Sequence, residues 1–276
     1  IRLRLAKLAV HLVIALIALV VIGGATRVME AGLACPDWPF CYGSLLPRHQ
    51  MNLQVFLEWF HRLDAFVVGI ALLVQFWAAL TWRPELPRWF PWFSAGLVML
   101  VLFQGGLGAI TVLKLLPSGV VTAHLALALT LVALMSGLSQ RLLSLDSVSA
   151  PFWWRLMGGG CLVAVMGQSL LGGRMASFWA GQSCLKGGQL CQWLDWHRGS
   201  AVLVAVCVFV FVVTAIMAGG WARSQWPLLL TVSLLVITQI SLGILSVRLG
   251  LINPLLIVGH QLVAALLVAF LAALSS

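Results

Sequence analysis

The sequence predicts an all-α membrane protein with eight transmembrane helices. Of its 276 residues, 62% are hydrophobic and 8% are charged, whereas a soluble domain carries about 25% charged residues. Apolar runs close to the ~20 residues that cross a hydrocarbon core recur along the whole chain. The predicted spans are 8–24, 62–82, 92–113, 118–140, 152–172, 198–219, 226–247 and 254–274.

The first predicted span is expected to be a retained helix. No small-residue cleavage site follows its apolar stretch, as one would after a signal peptide. Ile1 is not a natural start, so further N-terminal sequence is expected. The net charge of +9 comes from cations scattered between the spans, without a basic run of interleaved aromatic residues. This pattern indicates contact with membrane lipids and excludes nucleic-acid binding.

The spans are predicted to form two pseudo-symmetric four-helix bundles, residues 1–143 and 150–276. An even number of spans in each half gives both halves the same topology, as in a parallel repeat. Matching segments support the repeat: Gly23-Gly24 with Gly172-Gly173, and residues 104–110 with residues 239–245.

Each half has a long loop before its second span, residues 25–60 and 173–196. Lysines and arginines divide equally between the two sides, so the positive-inside count does not fix the orientation. Disulfides persist on the oxidising side of a membrane, and both loops contain cysteine pairs. We therefore expect both loops on the outer face, with the N-terminus in the cytoplasm and the chain in the inner (cytoplasmic) membrane.

A duplicated pair of histidines indicates that the protein binds a cofactor. His61 and His124 are 63 positions apart, as are His197 and His260. Each pair is expected near the outer surface of its bundle, and a bundle core is a common place for a cofactor. Histidine is a standard axial ligand of haem iron. A polar histidine satisfied by a neighbouring helix is the alternative, and it is the expected one for His11, which has no counterpart in the repeat.

Four arginines follow either a histidine of these pairs or the first span of a half. Arg62 and Arg198 come directly after a histidine, and Arg27 and Arg174 follow the first span of each half. Arginine suits the carboxylates of haem propionates. Snorkelling towards the membrane interface is the equally weighted alternative.

A carboxylate distinguishes the two halves. Glu58 lies three residues before His61, on the same face of a helix. The corresponding position before His197 is Leu194. A carboxylate beside a buried cofactor can accept protons, so Glu58 is the predicted catalytic residue. A surface glutamate favoured by the helix dipole is the alternative.

Cysteine pairs lie in both long loops. The sequence predicts one disulfide in each half, from Cys35 with Cys41 and from Cys184 with Cys191. Zinc binding stays an alternative, although the spacings are not of the C-x2-C type.

Several motifs resemble the haem A synthase family across nearly the whole chain. In the first half they are residues 23–27, 32–41, 58–62, 104–111 and 124–125, and in the second half residues 197–198 and 259–261. Residues 174–184 depart from the family pattern.

The resemblance implies that the ring methyl of haem O is oxidised to a formyl group, which gives haem A. It implies that His61 and His124 flank this substrate, that His197 and His260 ligate a resident haem b, and that Glu58 moves protons or stabilises charge. The implied partners are haem O synthase, the assembly machinery of haem-copper oxidases and an electron acceptor; a homo-oligomer is left open.

Two other functions fit the pattern less well. A di-haem b-type electron-transfer cytochrome would have no need of Glu58. A transporter built from parallel repeats would carry its polar residues near the midplane of the membrane, whereas these lie towards one surface.

Overall fold

The computed structural model describes residues 1–144, 150–176 and 192–276. Within these ranges, eight helices are long and apolar enough to cross a membrane, which confirms the predicted class. They are α1 (Arg2–Val28), α2 (Leu53–Thr81), α3 (Phe90–Leu113), α4 (Ser118–Leu143), α5 (Phe152–Ala176), α6 (Gln192–Ala218), α7 (Trp226–Arg248) and α8 (Pro254–Ser275). A short helix, Gly220–Ser224, lies between α6 and α7.

Large apolar side chains remain exposed along these helices. Phe66 of α2 is 66% exposed and Leu203 of α6 is 72% exposed, and many similar residues accompany them. Contiguous apolar surface on this scale is rare on a soluble protein. With the length of the helices, this surface identifies an integral membrane protein whose exposed side chains face lipid.

The second and sixth helices begin earlier than the sequence predicts. α2 begins at Leu53 instead of residue 62, because the Asn52 side chain caps the helix: its oxygen accepts a hydrogen bond from the backbone N–H of Val55 at 3.0 Å. α6 begins at Gln192 instead of residue 198. His61 and His197 therefore lie within regular helix, one or two turns after its start.

The connections α3–α4 and α7–α8 repeat the same backbone feature. Leu116 and Leu251 have left-handed φ angles of 59° and 57°. Each donates its N–H to the carbonyl five residues earlier, Leu116 to Thr111 at 2.7 Å and Leu251 to Ser246 at 2.8 Å. These bonds end the helix with paired carbonyls. The second connection is one residue longer than the first. Matching positions are therefore 135 apart before it (239 − 104 for the glutamines) and 136 apart after it (260 − 124 for the histidines).

The chain divides into two compact units, Ile1–Leu131 and Val132–Ser276. In the first unit α1 packs against α2, and α2 against α3. In the second unit α5 packs against α6 and α8, and α8 packs against α7. The boundary lies within α4. The predicted division into residues 1–143 and 150–276 stays a prediction, and residues 145–149 of its linker lie outside the described residues.

Candidate functional site

The first histidine pair belongs to the first unit. His61 lies on the third turn of α2 and His124 on the second turn of α4. At 1.5 Å rise per residue, each is about 9 to 12 Å from the first residue of its helix. Nδ1 of each ring is buried and has no hydrogen-bond partner among the residues that the structure describes.

Each ring of this pair lies against a glycine of the preceding helix. A Cβ atom added at Gly23 of α1 would be 3.1 Å from Cε1 of His61. One added at Gly108 of α3 would be 3.4 Å from Cε1 of His124. Carbon atoms in good contact are about 3.5 to 4.0 Å apart. Any larger residue at these positions would therefore press on the ring.

The second pair, in the second unit, has the same arrangement. The ring centres of His197 and His260 are 6.3 Å apart, with an angle of 75° between their planes. A Cβ added at Gly172 of α5 would be 2.9 Å from Cε1 of His197, and one at Gly243 of α7 would be 3.2 Å from Cε1 of His260. All four glycines lie four or five residues before the end of their helices.

Two glutamines approach the rings of the second pair. Nε2 of Gln168 is 3.1 Å from Nδ1 of His197, and Nε2 of Gln239 is 3.2 Å from Nε2 of His260. In the first unit, Gln104 donates to the backbone carbonyl of His124 at 3.0 Å instead. The sequence motif containing Gln104 and Gln239 is visible in the repeat, but neither these contacts nor the glycine contacts have a signal of their own in the sequence.

The contact at Gly172 gives a testable expectation. Gly172→Ala places a methyl group 2.9 Å from the ring of His197, and overpacking of this kind costs about 1 to 3 kcal/mol. The melting temperature of the purified protein in detergent, followed by circular dichroism, should fall.

The matched control is Gly167→Ala on the same helix, where an added Cβ meets nothing within 4 Å. It should leave the melting temperature unchanged or raise it, because alanine is favoured over glycine in a helix by up to about 1 kcal/mol. Equal melting temperatures for the two variants would contradict the contact.

Glu58 is buried, with 5% of its surface exposed. Its Oε2 accepts a hydrogen bond from the backbone N–H of Cys35 at 2.8 Å, and its Oε1 pairs with the guanidinium of Arg62. The carboxylate is thus joined both to the helix that carries His61 and to the loop before it. Leu194, at the matching position of the second unit, is also buried, with 7% exposed.

Arg62 connects the carboxylate to the loop. Besides Glu58, its guanidinium donates to the backbone carbonyls of Asp37, Phe40 and Cys35. Four contacts leave little of its donor capacity for another anion. A propionate contact by Arg62 stays a prediction, and the structure gives this residue the additional task of holding the loop.

The loop is closed by the predicted disulfide between Cys35 and Cys41, which is confirmed. Both cysteines are buried with Val55, and Ala34 and Trp59 pack against them. Cys184 and Cys191 lie outside the described residues.

The carboxylate of Asp37 ties the turn that follows the disulfide. It accepts hydrogen bonds from the backbone N–H groups of Tyr42 and Gly43, both at 2.7 Å. Slight desolvation acts to raise the pKa of Asp37, but these hydrogen bonds and the charge of Arg62 outweigh it and hold the pKa below its ordinary value. The residues beside Glu58 thus form an ordered, internally bonded loop.

The other predicted arginines have different surroundings. Arg27 lies in the last turn of α1 and is half-buried. The guanidinium of Arg174, near the end of α5, lies 5.8 Å from the centre of the Trp193 ring, a cation–π contact. Arg198 is exposed beside His197. Their propionate contacts stay predictions.

The spacing of the second histidine pair fits a haem better than a bare metal ion. In the described ranges, no group of three or more histidine, cysteine, aspartate or glutamate side chains could hold a metal, whereas a zinc site needs three or four protein ligands. A haem needs only axial ligands. The 6.3 Å between the rings of His197 and His260 matches two metal–nitrogen bonds of ~2 Å plus the half-widths of the two rings. Nδ1 of His260 is buried without a hydrogen-bond partner among the described residues, as are those of His61 and His124.

Fold and site together define a polytopic helical membrane protein with two histidine pairs, one of which lies on the same helix as a buried carboxylate. The sequence model of the cytochrome oxidase assembly protein family (COX15-CtaA) matches residues 6–272, and the chain belongs to this family. The resemblance expected from the motifs is confirmed.

Curated relatives agree with the family. The haem A synthase of Shewanella oneidensis is 34% identical over 185 residues, which cover 60% of this chain and 54% of the relative. That of Sphingopyxis alaskensis is 28% identical over 321 aligned positions, which cover 94% of this chain and 88% of the relative. The haem A synthase of Bradyrhizobium diazoefficiens is 31% identical over 211 residues, which cover 62% of this chain and 57% of the relative. The match to the Shewanella protein therefore spans about half of that relative, while the Sphingopyxis match is nearly full length.

Proposed function

We propose that this chain is a haem A synthase, a haem-modifying oxidoreductase that oxidises the ring methyl of haem O to a formyl group. The observation that carries the proposal is the presence of two similar histidine-pair sites. Among the described residues, only the first has a buried carboxylate, Glu58, one turn from a histidine. Membership of the cytochrome oxidase assembly family and similarity to relatives named haem A synthase support it.

The two sites have different tasks in this proposal. His61 and His124 hold the substrate, haem O, and release the product, haem A. His197 and His260 hold a haem b that stays with the protein, and this resident haem supplies a one-electron redox centre. The proposed contacts of the propionates are Arg62 and Arg198, which directly follow a histidine, and Arg27 and Arg174, which follow the first predicted span of each half.

Glu58 accepts protons or stabilises charge in the first site. Oxidation of a methyl to a formyl group replaces two hydrogen atoms by one oxygen atom. With water as the oxygen donor the step releases protons and electrons, so a proton acceptor and an electron acceptor are both required. Arg62 and the N–H of Cys35 hold the Glu58 carboxylate in place, and in this proposal it is the group that accepts a proton. Positioned acid–base groups of this kind contribute about 10² to 10⁴ in rate.

The proposed location is the inner (cytoplasmic) membrane, with the N-terminus in the cytoplasm. The Cys35–Cys41 disulfide in the loop between α1 and α2 supports an outer location for that loop, because disulfides persist on the oxidising side. Haem O synthase supplies the substrate in this proposal, and assembly of haem-copper oxidases consumes the product.

Extraction of the bound haems from the purified protein, followed by chromatography, tests the proposal. We expect haem B together with haem O or haem A. Haem B alone would favour an electron-transfer cytochrome, and protein purified from haem-replete cells without any haem would overturn both functions.

A further inference from the structure

Two cysteine side chains meet between neighbouring helices of the second unit. Sγ of Cys161, on α5, lies 3.3 Å from Sγ of Cys207, on α6. Sγ of Cys161 is also 3.5 Å from the backbone carbonyl oxygen of Cys207, to which its S–H donates. The two residues are 46 positions apart in the sequence, so the packing of α5 against α6 is what brings the two sulfurs together.

The cysteine pair lies deep within its two membrane helices. Cys161 is nine residues after the start of α5 at Phe152, and Cys207 is eleven residues before the end of α6 at Ala218. Both are farther than this from the opposite end of their helix. At 1.5 Å rise per residue, each is at least about 13 Å from either helix end. In a hydrocarbon core ~30 Å thick, reagents dissolved in water do not reach this depth.

The pair is open to lipid on one side. Cys161 is buried, with 1% of its surface exposed, whereas Cys207 is exposed. Val206 and Val210, beside Cys207 on α6, are 53% and 52% exposed. Exposed apolar side chains at this depth face the acyl chains. A molecule dissolved in the bilayer can therefore approach Cys207, with Cys161 directly behind it.

The distance between the sulfurs favours a bond between them over a bound metal ion. Thiolates lie about 2.3 Å from zinc, so an ion in line between two of them would hold the sulfurs about 4.6 Å apart. A disulfide bond is about 2.0 Å long, and an approach of about 1.3 Å from the 3.3 Å contact reaches that length. In the part of the chain that the structure describes, no histidine, aspartate or glutamate joins the pair to make a group of three metal ligands.

We propose that Cys161 and Cys207 form a dithiol that a quinone dissolved in the membrane oxidises to a disulfide. Two S–H bonds break and one S–S bond forms. The two hydrogen atoms pass, as two protons and two electrons, to the two carbonyl oxygens of the quinone, which becomes a quinol. The oxidant is a lipid-soluble molecule because the pair lies at the depth described above. The proposal goes beyond the haem chemistry proposed for this chain and does not depend on it.

The cross-link would join the two helices that position a histidine of the second site. Gln168 and Ser200, each seven residues from one of the cysteines, are hydrogen-bonded to each other across α5 and α6 at 2.6 Å. Gly172 of α5 lies against the ring of His197 of α6. The disulfide would fasten α5 to α6 about 10 Å along the helices from the Gln168–Ser200 contact. The redox state of the membrane quinone is thereby recorded as a covalent link beside the second histidine pair.

The test uses the purified protein in phospholipid bilayers, reduced with a phosphine that is then removed. A fully substituted benzoquinone with a decyl chain is added to the lipid. Samples are quenched with acid and N-ethylmaleimide, digested and examined by mass spectrometry. We expect the peptide containing Cys161 to be joined to the peptide containing Cys207. We also expect one quinol per joined pair, beyond the quinol formed by the Cys207→Ser variant. The water-soluble oxidant diamide should form the link more slowly.

Cys161→Ser and Cys207→Ser are the matched controls, since each removes one sulfur and leaves every other cysteine in place. Neither should yield the joined peptides, and both should form the same smaller amount of quinol. Absence of the joined peptides in the quinone-treated wild-type protein overturns the proposal, as does a quinone adduct on Cys207 without the link. Equally fast linking by diamide overturns the assignment of a lipid-soluble oxidant. If a serine variant does not fold, the wild-type peptides alone decide.

Discussion

His197→Ala and His260→Ala are each expected to remove the low-spin haem b spectrum from the purified protein. The two rings are 6.3 Å apart, a separation suited to two axial ligands of one iron atom, so loss of either ring leaves that haem with a single protein ligand. Haem b content per protein should fall more than about tenfold, in line with the effect of losing groups that support a metal ligand. Pyridine haemochrome assays and low-temperature absorption spectra measure both quantities.

His11→Ala is the matched control. His11 is an exposed histidine of α1 whose ring contacts the backbone carbonyl of Lys7 at 2.7 Å, and it has no counterpart in the repeat. This variant should keep the wild-type spectrum. A normal low-spin signal in both His197→Ala and His260→Ala would reject ligation by this pair.

Glu58→Ala is expected to lower haem A formation by about 10² to 10⁴, the usual contribution of a positioned acid or base. The change removes the buried carboxylate of the first unit and leaves His61 and His124 in place. The ratio of haem A to haem O, measured by chromatography of extracts from cells that also produce haem O, reports the loss. The low-spin haem of the second unit should be unchanged.

Glu58→Gln separates the charge of this residue from its structural contacts. Glutamine still offers an oxygen to the N–H of Cys35, although its NH₂ group cannot accept from Arg62 as the second carboxylate oxygen does. Arg62 keeps its bonds to the loop carbonyls, and glutamine does not accept a proton at neutral pH. It should therefore be nearly as inactive as Glu58→Ala. Wild-type conversion in Glu58→Gln would mean that Glu58 serves only to hold the loop, and wild-type conversion in both variants would remove it from the mechanism.

The hydropathy of the sequence predicts the eight spans, because the length of an apolar run reflects membrane thickness. It does not predict where α2 and α6 begin, since polar residues such as Asn52, Gln54 and Gln192 are helical or cap a helix there. Hydropathy alone therefore places the start of α2 nine residues too late and that of α6 six residues too late.

The candidate site, too, is predictable from the sequence only in part. Spacing alone pairs the histidines and singles out Glu58, because a repeat makes exceptions visible. The partner of Glu58 is harder to predict: Arg62 follows a histidine and suggests an anion of the cofactor, yet in the structure it holds Glu58 and three carbonyls of the loop. Contacts between residues distant in sequence, such as Gln168 with His197, depend on helix packing that no local pattern encodes.

The glycine contacts show that the repeated structural unit is smaller than half of the chain. Each histidine rests on a glycine of the membrane-spanning helix before its own: α1 with α2, α3 with α4, α5 with α6, and α7 with α8. The smallest recurring element in the described residues is thus a pair of successive membrane helices, glycine on the first and histidine on the second, seen four times. Such a pair orients its own histidine ring. Each histidine can consequently be positioned when its two helices enter the membrane together, before the helices that carry the opposite histidine have been made.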